Sequence, residues 1–63
     1  MTIGEKLVRL RGEKTQKKVA EDLGISISAL SMYETDSRVP RDSIKIRLAD
    51  YYGVNIADLF FGD

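Results

Sequence analysis

The sequence predicts an all-α domain of five short helices, and three observations carry that reading. Apolar residues recur at intervals of three and four along most of the chain. No stretch alternates apolar and polar residues as a half-buried strand does. Glycines at 12, 24 and 53 and a proline at 40 punctuate the pattern where helices would stop.

Ile3, Leu7 and Leu10 share a helical spacing, with Thr2 as N-cap and Glu5 three residues on as its capping-box partner, so helix 1 is predicted over about 3–12, ending near Gly12. Thr15 caps helix 2, which runs to about Leu23 and stops at Gly24 in a left-handed conformation. Ser26 caps helix 3, which runs to about Glu34. Thr35 to Pro40 is a loop of turn-formers. Pro40 or Asp42 starts helix 4, with Ile44, Leu48, Tyr51 and Tyr52 on one side and Gly53 as its stop. Asn55 caps a short helix 5 that carries Ile56, Leu59 and Phe60.

The 63 residues read as a single domain over 1–63, with stability of roughly 3–5 kcal/mol. There is neither cysteine nor histidine, so disulfides, thiolate zinc sites and a near-neutral proton shuttle are excluded. No apolar run is long enough to cross a bilayer, and Met1-Thr2-Ile3-Gly4 opens no signal peptide, so the expected location is the cytoplasm.

Ten basic and ten acidic residues cancel, but they are segregated. Residues 1–18 hold six cations against Glu5 and Glu13; residues 19–36 hold only Glu21, Asp22, Glu34 and Asp36. Residues 37–47 hold Arg38, Arg41, Lys45 and Arg47 against Asp42, and Asp50, Asp58 and Asp63 close the chain. The fold could therefore carry one basic and one acidic face, although an ordinary solvated surface accounts for the same charges.

The segment QKKVAEDLGISISALSMY, from Gln16 to Tyr33, is the most specific. Val19, Leu23, Ile25, Leu30 and Tyr33 can share one core only if the chain turns sharply at Gly24. Ala20 sits where the two helices cross. Ile27, Ser28, Ser31 and Met32 form an uncharged outer face, unusual for a solvent-facing helix and suited to a DNA groove. With Thr15-Gln16, Tyr33-Glu34, Arg38, Pro40 and the tail LADYYGVNIADLF, this segment resembles the Cro/phage-repressor class of helix-turn-helix proteins, the Xre family, over nearly the whole chain.

The resemblance implies a compact lambda-repressor-like domain with the helix-turn-helix at helices 2 and 3. By it, Ile27, Ser28, Ser31 and Met32 are the base-facing positions. Many relatives place Gln or Arg there, and their absence shifts the expected specificity toward DNA shape. Gln16 matches a glutamine that binds phosphate and braces helix 3, aided by the helix N-terminus. Lys17 and Lys18 are either further phosphate contacts or ordinary surface lysines. Arg38, Arg41 and Lys45 are expected along the phosphate backbone, and an arginine of this loop could enter the minor groove. Glu34 matches a residue that pairs with a helix 1 arginine, here Arg11, either orienting Arg11 toward phosphate or acting as a structural ion pair. Asp36 departs from the pattern, since glycine or asparagine is common there.

The tail is rich in large apolar groups. Phe60 and Phe61 cannot both face inward from one helix. The family commonly dimerises at this end, so Leu59, Phe60 and Phe61 are the expected interface of a homodimer. Its partner is double-stranded DNA, an imperfectly palindromic operator read as by a transcriptional repressor. No cofactor, membrane or small-molecule substrate is expected, and no enzyme is expected either, since no suitable base stands near a nucleophile and 63 residues leave no room for a deep pocket. An antitoxin, or a protein-interaction module using the C-terminal apolar patch, is the alternative.

Overall fold

In a computed structural model, described here for residues 1–61, the chain forms five helices: α1 (Ile3–Arg11), α2 (Gln16–Leu23), α3 (Ile27–Glu34), α4 (Asp42–Tyr52) and α5 (Ile56–Phe60). No strand occurs among the described residues. The start signals act as their chemistry requires. Thr2 and Glu5 form a reciprocal capping box. Thr15 accepts from Lys18 N at 3.0 Å, Ser26 from Ala29 N at 3.0 Å, and Asn55 from Ala57 N at 2.7 Å. The start of α4 is settled at Asp42: Pro40 is buried just ahead of it, and Arg41 takes the N-cap position without a side-chain cap.

Three helices end in the same left-handed device. Gly24, Asp36 and Gly53 all have φ near +60° to +70°. In each case the next residue's amide returns to a carbonyl of the last turn: Ile25 to Ala20, Ser37 to Met32 and Val54 to Ala49, at 2.9–3.0 Å. Glycine adopts this conformation freely at 24 and 53, whereas Asp36 does so at a cost of about 1 kcal/mol.

The core takes one fully buried aliphatic residue from each of the first four helices: Leu7, Val19, Leu30 and Leu48. Each such burial contributes roughly 1.5–3 kcal/mol. Ala20, Leu23, Tyr33, Ala49, Leu59 and Phe60 complete the cluster, and α5 closes it over α1 and α4. α3 packs on α1 and α2, which makes the α2–α3 pair one rigid corner of the molecule. Gly4 lies buried where α1 meets the end of α3, and a Cβ there would collide with the Glu34 carbonyl. The whole body measures 27 × 23 × 21 Å.

Candidate nucleic-acid interface

The uncharged helix surface stands at the outside. Ile27 is 46% exposed, and Ser28 is exposed beside it. Ser31 and Met32, expected to be equally open, are half-buried. The chain after α3 lies against this end of the helix. It folds back on the last turn, with Thr35 Oγ1 on the Ser31 carbonyl at 2.9 Å and the Ser37 and Arg38 amides on the Met32 carbonyl at 2.9 and 3.3 Å. The open part of the α3 outer face is therefore its first turn. Leu30 and Tyr33 face the core, which fixes the rotation of the helix and so which residues look outward.

The only charged side chain of α3, that of Glu34, is turned inward and is 2% exposed. Both of its carboxylate oxygens are used. Arg11 Nε donates to one at 2.8 Å and Gln16 Nε2 to the other at 2.8 Å. Arg11 also donates to the Lys14 carbonyl at 2.8 Å. This network joins the end of α1, the start of α2 and the end of α3. An unpaired carboxylate at that depth would be strongly destabilising, so each partner protects the others. Gln16 braces α3 from the first turn of α2, and Arg11 is committed to Glu34 and the α1–α2 link.

The remaining cations divide into two sets. Lys17 is exposed and makes no ion pair among the described residues. Lys18 pairs with Asp22 at 3.2 Å, a hydrogen bond that raises the lysine pKa. Asp22 is held below the usual carboxylate range by the Tyr51 hydroxyl, 2.6 Å away, and by Lys18. Lys14 in turn donates to the Tyr51 hydroxyl at 3.2 Å and lies over its ring. Arg38 and Arg41 are exposed on either side of Pro40. Lys45 is different: its side chain is only 15% exposed, with the ammonium over the rings of Phe60 and Phe61 and 3.9 Å from Asp42. It is spent on the α4–α5 packing and does not join Arg38 and Arg41 as an open cation. Arg47, absent from the expected set, reaches Gly24 at the turn between α2 and α3.

At the other end, the apolar set resolves unequally. Leu59 and Phe60 are core residues, because α5 needs both to close over α1 and α4, and so neither is free to face a partner as expected. Phe61, just beyond the helix, is 70% exposed. A groove of about 280 Å³ beside α5 is walled by Met1, Leu10, Val54 and Leu59, with Lys6, Arg9 and Asp58. No group of acidic residues among those described is placed to hold a metal ion, and no helix is long and apolar enough to cross a membrane.

Two contacts of this surface had no local signal in the sequence. Asp22 and Tyr51 meet across α2 and α4, and Gly4 meets Asp36 from 32 positions away. The Arg11–Glu34 and Gln16–Glu34 contacts were readable only through the family pattern. A family model described as helix-turn-helix matches residues 6–59. No curated protein and no solved structure matches the chain.

Proposed function

The chain belongs to the helix-turn-helix family, in its Cro/C1, Xre-like form, and on that premise we propose that it represses transcription by occupying an operator with the first turn of α3 in the major groove. The family is one of DNA-binding regulators. The observation that supports the finer reading is the outward face of α3. Ile27 and Ser28 project without any charge, while exposed cations stand at the start of α2 and in the loop before α4. That is the arrangement of a reading head between two backbone grips.

In this reading Ile27 packs on thymine methyl groups, and Ser28 donates to or accepts from base edges without strong preference. Ser31 and Met32 contribute at the margin. The α2 N-terminus with Gln16, Lys17 and Lys18 holds one phosphate stretch, and Arg38 and Arg41 hold the next. No bidentate side chain is available on α3, so much of the discrimination falls to groove shape and duplex deformability. Phe61 supports a homodimer on an imperfect palindrome, with the two reading helices about 34 Å apart.

Selection of bound sites from random duplex DNA, followed by a salt titration on the winning site, tests the proposal. The expected outcome is a short enriched motif rich in A·T steps. Four backbone cations per protomer, eight in the dimer, give log K a slope of about −7 against log salt. No enrichment, or an affinity that ignores salt, would refute it and favour a protein partner instead.

A further inference from the structure

We propose that Asp36 is a positioning residue for DNA binding: its carboxylate anchors the left-handed turn after α3 to the N-terminus of α1, and so sets where Arg38 stands beside the reading helix. The inference rests on the regulator reading above for its DNA role, but its structural half stands apart from it.

Three observations converge. First, Asp36 has φ of +62°, the only non-glycine residue with positive φ among those described. An aspartate in that region carries a strain that its surroundings can offset. Second, the holding contacts are present. Asp36 Oδ1 accepts from the Gly4 amide at 2.9 Å, a free donor of the first turn of α1, and the N-terminal end of the helix dipole favours the negative charge. The Thr2 hydroxyl and that amide keep the carboxyl below its ordinary range. The approach is possible because residue 4 is glycine, for a Cβ there would meet the Glu34 carbonyl and Asp36 Oδ2.

Third, the turn places the next residues. With residue 36 left-handed, the Ser37 and Arg38 amides both reach the Met32 carbonyl, the open acceptor in the last turn of α3. Arg38 thereby starts from a fixed point on the reading helix, two residues past the anchor. A glycine at 36 would satisfy the backbone and leave the tie unmade. The acidic side chain is thus explained by its contact with α1 and not by the turn alone.

Asp36→Gly, Asp36→Asn and Arg38→Ala test this in the full chain. Glycine accepts the positive φ, so the first variant removes the tie while the fold is retained. Asparagine tolerates the same φ and keeps an acceptor for the Gly4 amide. In the free protein, Asp36→Gly is expected to speed hydrogen exchange at the Ser37 and Arg38 amides about tenfold, and Asp36→Asn to restore protection. On the selected duplex, Asp36→Gly should weaken binding about fivefold, and combining it with Arg38→Ala should add nothing to the loss from Arg38→Ala alone. Multiplying losses in the double variant would show that Asp36 acts elsewhere and overturn the proposal. Exchange at Arg38 unchanged in Asp36→Gly would overturn the anchor. Because exchange needs no DNA, a wild-type chain that binds no duplex would instead overturn the regulator reading, and the two failures stay distinct.

Discussion

Tyr52 carries a hydroxyl that is buried and has no hydrogen-bond partner among the described residues. Desolvation, helped by the negative charge of Glu34, pushes its pKa up to about 12. Removing an unsatisfied polar atom while keeping the ring should not destabilise. Tyr52→Phe is expected to leave the urea midpoint unchanged or to raise stability by up to about 1 kcal/mol. The sign of the pH effect follows. The folded pKa lies above the ordinary tyrosine value of 10.0, so the neutral phenol's contribution is complete below that pH and is lost as pH rises toward 12. The phenylalanine variant should therefore lose less stability than wild type between these limits. A variant that unfolds more readily at neutral pH would mean that the hydroxyl has a partner. At this scale the sequence was uneven. The oddness of Asp36 was visible, because a left-handed turn usually selects glycine or asparagine. Gly4 gave no sign of its part, since what requires a missing Cβ there is a backbone carbonyl from the far end of α3.

The helices themselves were legible, because what starts and stops them is local. Thr2, Thr15, Ser26 and Asn55 each bond an amide two or three residues on, and Gly24 and Gly53 end their helices in place. How one helix grips another was not, because the partners are far apart in the chain. Tyr51 on α4 donates to Asp22 on α2 across 29 positions. That tie makes an acid-sensitive seam. The Asp22 pKa is lowered first by the Tyr51 hydroxyl and then by Lys18, so its contribution is present above the unfolded value near 3.8 and is lost as pH falls through the lower folded value. Asp22→Asn should reduce the urea midpoint at neutral pH, and the difference from wild type should shrink as pH falls below 3.8. A gap that persists in acid would mean that the carboxylate charge is not what matters. The half-burial of Ser31 and Met32 was equally hidden, because the pattern of α3 alone gives all four outer residues the same face.

For the molecule as a whole, the apolar spacing was enough to name the central residues, and one from each of the first four helices is fully enclosed. The spacing could not sort the tail, where Leu59 and Phe60 went inward and Phe61 stayed out. Since Phe61 contributes little to the core, Phe61→Lys should keep the fold while abolishing cooperative binding to a duplex with two half-sites and preserving binding to one. Sedimentation and a two-site titration measure both, and unchanged cooperativity would rule this end out as the contact between protomers. The dimensions of the body add a constraint on any such pair. At 27 × 23 × 21 Å, it is narrower than the 34 Å that separates successive major grooves on one side of a duplex. Two touching copies can span that interval only if each carries its α3 on the flank away from its twin. α5 rests on α1 and α4 while α3 rests on α1 and α2. α1, which touches both, is thus the element that ties the reading helix to the end from which any such pair would be built.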